Sequence, residues 1–269
     1  MPSSSSVRIK LLGLMQGQGM RAQLMRGALG VGGLRVLSMG TALATSVLLA
    51  RGLGPGGFGQ YSFVVSLLTM LALPFGPALK NLITREVAGY HQSEQWALFR
   101  GLLRRGYQWI LVGAVGAAGV LVITGGLRGG WDPGNRWTLI AMGAFMLPLL
   151  GLLHLYSASL RGLGQVFVAQ LPIMVARPGC HILVVGALVT LGGLTPADAL
   201  ASLCVATLAS ALLAGALFRH HRPAMVKEAN PEYRSQDWGK SLLPFTLLAA
   251  TGSLNNELGI LTLGWLSTD

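Results

Sequence analysis

Arg177 stands in an otherwise apolar run, Val166–Leu191, and is followed by Pro178. A guanidinium near the centre of a membrane helix costs about 2.5–3.5 kcal/mol on insertion scales. Something must offset that cost: a carboxylate such as Glu257, a water-filled cavity, or an anionic ligand. Arg35 also falls within an apolar run, but close enough to its start for the stem to lift the charge to the surface. Asn255-Asn256-Glu257 occupies the middle of the last apolar run. Three consecutive polar side chains point in different directions around a helix, so they cannot all face lipid. Asparagines often bridge helices by hydrogen bonds. Glu257 is the sole carboxylate deep in any run, which makes it the candidate for proton or cation coupling. His154 reads as a hydrogen-bonded interior residue in preference to a proton relay.

Other chemistries lack their residues. Cys180 and Cys204 both lie in apolar runs, where they act as small hydrophobes. His91 and the pair His220-His221 have no metal-ligand spacing. There is no nucleophile elbow, phosphate-binding glycine loop or acidic pair in a polar segment. The expectation is therefore a protein that is not an enzyme and has no metal and no cofactor.

The elements that must position these residues are membrane helices. The chain is 52% hydrophobic and 11% charged, with 38 glycines and a mean hydropathy of +0.58. Soluble domains carry roughly 25% charged residues, so this chain cannot coat a water-facing surface. A net charge of +11 would suit nucleic acid, but the cations sit between apolar runs and form no aromatic-interleaved stripe.

Seven helices are expected: 30–50, 58–79, 107–127, 137–160, a kinked helix from residue 166, 199–218 and 242–266. Leu48–Ser62, with Arg51, Pro55 and its glycines, reads as the tight turn of the first hairpin. The fifth helix must include Val166–Ala176. Beginning after Pro178 it would span only about 22 Å, short of the ~30 Å hydrocarbon core.

Residues 1–29 form a basic tail, 30–218 a six-helix lobe, 219–241 a basic loop, and 242–269 one further helix. In Lys80–Gly106, Leu98, Leu102 and Leu103 alternate with arginines at helical spacing, which suggests that part of the segment lies along the membrane surface. Gly113, Gly116 and Ala117 offer close contact for the third helix. Ser202, Ala206, Ser210 and Ala214 form a small-residue packing stripe on the sixth. Trp131 and Trp137 fit an interfacial belt. Placing the N-terminus inside puts fifteen cations on the inner side and three, Arg51, Arg128 and Arg136, on the outer side. That asymmetry predicts a cytoplasmic N-terminus.

Several segments carry a resemblance. Leu49-Ala-Arg-Gly-Leu-Gly-Pro-Gly-Gly-Phe-Gly-Gln-Tyr61, Thr84-Arg85-Glu86, Leu160-Arg-Gly-Leu-Gly-Gln165 and the stretch from Asn256 to Asp269 resemble the polysaccharide biosynthesis family. These are the Wzx-type oligosaccharide flippases of the multidrug/oligosaccharidyl-lipid/polysaccharide exporter superfamily. Members have two six-helix lobes. The resemblance implies that this chain is all-α and polytopic, and supplies the first lobe plus the first helix of the second, as a truncated or fragmentary member. It also implies movement of a lipid-linked oligosaccharide by alternating access across a bacterial inner membrane, for surface polysaccharides such as O-antigen. Partners would be the bilayer, the lipid-linked glycan and other glycan-assembly membrane proteins.

The cationic cavity of this family points to Arg177, Arg35, Arg85 and Arg51 for pyrophosphate. Asn255 and Asn256 would contact substrate, and Glu257 would modulate the charge. Three alternatives remain. A cation-coupled drug exporter would carry more deep carboxylates. A glycan polymerase or ligase would need a long outer loop. The third is a fragment that only associates with glycan-assembly proteins.

Overall fold

A computed structural model describes residues 20–266 except 130, 131, 133 and 134, and side chains within residues 30–251. Among the described residues the chain is helical, without strands. Helix α1, Met20–Leu71, holds two membrane passes separated at Gly54. Gly54 adopts φ 68° and ψ 176°, a backbone conformation only glycine enters cheaply. Ser38, Ala42, Thr45, Ser46 and Leu49 of the first pass share a cavity with Phe58, Tyr61, Ser62, Val65 and Thr69 of the second. These two stripes at helical spacing, running away from Gly54 on both sides, describe an antiparallel hairpin.

The second pass continues through a π-helical turn, Pro74–Ala78, into α2, Leu79–Gln92. Helix α3, Trp96–Trp109, leads through a second π turn, Ile110–Ala114, into α4, Val115–Gly129. The fourth pass joins α5, Arg136–Ala144, to α6, Met146–Gly162. The fifth joins α7, Val166–Leu171, a π turn at Pro172–Ala176, and α8, Arg177–Thr190. The sixth is α9, Pro196–His221, followed by the short α10, Met225–Glu228, and then α11, Ser235–Leu266. Five helical segments of the described residues are long and apolar enough to cross a bilayer; the first, 42 residues, is the folded hairpin.

The kinked fifth helix is explained by its prolines. Pro172 and Pro178 cannot donate to the preceding turn, and the π turn between them absorbs the missing hydrogen bonds. Pro74 and Pro77 do the same in the second pass. The two Arg-Gly-Leu-Gly copies end alike, with Gly54 at φ 68° and Gly164 at φ 80°. Helix α9 begins with a capping box, in which Thr195 and Asp198 exchange side-chain and backbone hydrogen bonds.

Packing follows membrane rules. Val36, Leu43, Leu111, Leu183 and Leu212 are exposed at the bundle's perimeter. Small residues mediate the close contacts: Ser202, Ala206, Ser210 and Ala214 are all buried. Gly113 lies against the Phe75 ring and Gly162 against Val87, whereas Gly116 meets nothing.

One segment differs from the sequence expectation. Lys80–Gly106 is not a surface stretch. Its leucines do not face lipid, because α2 and α3 prolong the second and third passes and bury Leu82, Val87, Leu98, Phe99 and Leu102 between helices. The basic segment 219–241 is tied to the bundle by hydrogen bonds. Glu232 N donates to Ala97 O at 3.1 Å, Arg100 donates to Ala229 O at 2.7 Å, and buried Trp238 donates to the Tyr90 hydroxyl at 2.9 Å.

Candidate functional site

The cavity beside the hairpin holds about 530 Å³. Its wall is built from α1 on both sides of Gly54, from Ile173 of the π turn, from α8 and from Leu203 of α9. Hydroxyls recur along the two α1 stripes: Ser38, Thr45 and Ser46 on one arm, Tyr61, Ser62, Ser66 and Thr69 on the other. Two of these, Thr45 and Thr69, donate to the carbonyl four residues earlier. A hydroxyl bonded in this way satisfies its proton within the helix and keeps its lone pairs for the cavity.

Arg177 is the charged residue in this wall. The π turn and Pro178 place it at the joint of the fifth pass. Its Nε donates to Thr207 Oγ1 at 3.0 Å, and Nη2 lies 3.6 Å from Met146 Sδ. Neither contact brings a negative charge. The Arg85–Glu86 ion pair involves no residue of this wall. Arg177 is thus held by neutral groups and faces a polar cavity, a combination suited to an anionic ligand.

One turn along α8, His181 belongs to the same wall. Its Nδ1 is 3.0 Å from Ser202 Oγ, and its Nε2 is 3.2 Å from the Tyr61 hydroxyl. Ser202 gives its proton to Ala199 O at 2.8 Å. Its oxygen must therefore accept, so Nδ1 carries the imidazole proton and the Tyr61 hydroxyl donates to Nε2 of the neutral ring. This chain of hydrogen bonds ties the hairpin to α8 and α9 and fixes the cavity's shape. Sequence reading passed over it, although His181 follows Arg177 by four residues, a spacing that puts both on one helix face.

The other proposed residues are dispersed. Arg35 is exposed three residues before the cavity-lining Ser38, and Arg51 is exposed beside the hairpin turn. Arg85 is exposed and bound through Nε and Nη2 to Glu86, at 3.0 and 2.6 Å. It also donates to Ser241 at 3.3 Å and covers the Phe245 ring, joining α2 to α11. None of these three lines the cavity. The side chains of Asn255, Asn256 and Glu257 lie outside the described residues; the backbone there is helical. His154 Nδ1 is 2.8 Å from Leu150 O, which makes Nδ1 the protonated nitrogen. The described residues contain no cluster of metal-ligating side chains.

Comparison with known proteins follows the same lines. The sequence profile of polysaccharide biosynthesis proteins matches residues 24–269. A solved structure described as the inward-facing conformation of a multidrug resistance MATE family transporter of the MOP superfamily has the same fold, with a TM-score of 0.65 at 15% identity. That alignment covers 94% of this chain and 55% of the transporter, so this chain spans about half of that protein. No protein of curated function matches significantly in sequence.

Proposed function

This chain belongs to the polysaccharide biosynthesis protein family, and on that premise we propose that it contributes to moving a lipid-linked oligosaccharide across a bacterial inner membrane. The family and the transporter-like fold support reading it as part of a membrane transport protein and not as an enzyme. One observation carries the finer reading: Arg177 faces a cavity of about 530 Å³ and has only neutral partners among the described residues.

A guanidinium in this setting suits the diphosphate that links glycan to lipid, because it stays charged and can grip two phosphate oxygens at once. Hydroxyl-bearing walls suit the polar sugar beyond it. Alternating access would carry the group outward as the hairpin and α8 change their packing, with Asn255, Asn256 and Glu257 on α11 as further contacts and Glu257 as the coupling group. A cation-coupled drug exporter would carry deep carboxylates in this lobe, and among the described residues the cavity wall holds none.

The test is translocation in proteoliposomes holding the product of the full reading frame. A fluorescent polyprenyl-diphosphate oligosaccharide should reach the opposite leaflet, and the Arg177→Glu variant should not move it. Transport of a cationic dye with no movement of the glycan lipid would overturn the proposal.

A further inference from the structure

His181 joins three passes at the cavity, and its hydrogen bonds have a direction. Ser202 gives its own proton to Ala199 O and accepts from Nδ1 at 3.0 Å. The Tyr61 hydroxyl donates to Nε2 at 3.2 Å. Both rings are nearly covered, with His181 6% and Tyr61 8% exposed, yet both belong to the cavity wall. Nδ1 is already protonated and fixed by Ser202, so Nε2 is the nitrogen that can take up a proton.

A proton on Nε2 reverses the bond to Tyr61. The ring nitrogen becomes a donor, the phenol oxygen accepts from it, and the phenol proton must turn elsewhere. The same two heavy atoms are paired before and after, so no helix has to move. Tyr61 lines the cavity, which places its freed O–H within reach of an acceptor held there.

The neighbours decide when that proton is held. Helix α8 packs on α1 and α9. Its own Arg177, one turn before His181, is a permanent cation on the same helix face. From α1 comes Tyr61. From α9 come Ser202 and Cys204, the thiol bearing on Tyr61 and Arg177. Asp198, one turn before Ser202, is bound at 2.6 Å to the Thr195 hydroxyl at the helix start. Among the described residues no carboxylate lines the wall. A second cation beside Arg177 is therefore repelled. An anion at Arg177 cancels that repulsion and supplies the acceptor that the turned Tyr61 hydroxyl needs.

We propose that His181 is a proton-linked positioning residue: it takes up a proton from water as an anionic ligand binds at Arg177, and so turns the Tyr61 hydroxyl from the imidazole to the ligand. This inference rests on the reading of Arg177 given above. It adds a proton that accompanies the ligand, separate from any role of Glu257 on α11.

Titration calorimetry in phosphatidylcholine nanodiscs, with the product of the full reading frame, tests this between about pH 5.5 and 8. The probe is a polyprenyl-diphosphate monosaccharide, a diphosphate diester that does not itself titrate in this range. Comparing buffers of different ionisation enthalpy counts the protons taken up. Wild type should bind with proton uptake, and about tenfold more tightly at the acid end. His181→Gln keeps a donor and an acceptor for Ser202 and Tyr61, and should bind without proton uptake or pH dependence. Tyr61→Phe should match wild type at the alkaline end and lose most of the gain at the acid end. Thermal unfolding reports folding of each variant. Absence of proton uptake in wild type, which needs no substitution, overturns the proposal, and so does uptake that survives in His181→Gln. If Arg177→Gln abolishes binding at every pH, either result leaves the cavity reading standing. Undiminished binding in Arg177→Gln overturns the cavity reading itself.

Discussion

Replacing Arg177 with methionine separates a ligand-binding arginine from a structural strut, because the two roles predict opposite changes in stability. The side chain costs about 2.5–3.5 kcal/mol for a charge at mid-membrane. It regains about 1.5–3 kcal/mol from its charged hydrogen bond to Thr207, while the Met146 sulfur is a weak acceptor. These opposing terms nearly cancel, so Arg177→Met should leave thermal stability unchanged or raise it. Thr207 keeps a partner in the variant, since its hydroxyl already donates to Leu203 O at 2.7 Å.

Binding should respond in the other direction. A lost bidentate grip on a diphosphate is worth about 1.5–3 kcal/mol or more, which corresponds to a loss of roughly ten- to more than a hundred-fold. Arg177→Lys should fall between, keeping the charge and losing the fork. The assays are thermal unfolding followed by tryptophan fluorescence in detergent, and polyprenyl-diphosphate binding in nanodiscs. A methionine variant that melts much earlier, or that binds with unchanged affinity, refutes the assignment.

Other perturbations probe the scaffold. A side chain at Gly101 would place its Cβ against the Glu232 carbonyl, far inside contact distance. Gly101→Val should therefore release the 229–232 segment and speed protease cleavage there, while Gly116→Val, which meets nothing, should not. Gly54→Ala should cost about 1–3 kcal/mol in thermal or denaturant unfolding, because its positive φ with extended ψ is a region essentially restricted to glycine. Membrane orientation is open to cysteine labelling in a background lacking Cys180 and Cys204. An impermeant maleimide should reach Ser93→Cys from the cytoplasmic side and Gly193→Cys from the opposite side; the reverse pattern would invert the topology.

Much of this protein is legible along the chain. The spacing of apolar runs marks the membrane passes, since a helix must satisfy its own backbone in lipid. The kinked fifth helix follows from length alone, because the segment after Pro178 is too short to cross. Gly54 and Gly164 announce the turns, and the stripe from Ser202 to Ala214 announces a packing face. In each case the cause is local or periodic. Arg177 stands out for the same reason: an uncompensated charge is conspicuous in apolar sequence.

What each cation faces was decided only by tertiary structure. Arg35, Arg51, Arg85 and Arg177 are all expected from the sequence to meet the same ligand, yet Arg85 closes on Glu86 and of the four only Arg177 lines the cavity. His181 gains its role from Tyr61 and Ser202, which lie 120 and 21 residues away. Lys80–Gly106 has the leucine–arginine alternation of a surface helix and instead buries its leucines between passes. Periodicity gives the angle of a residue around its own helix. Which neighbour stands at that angle depends on how the helices assemble.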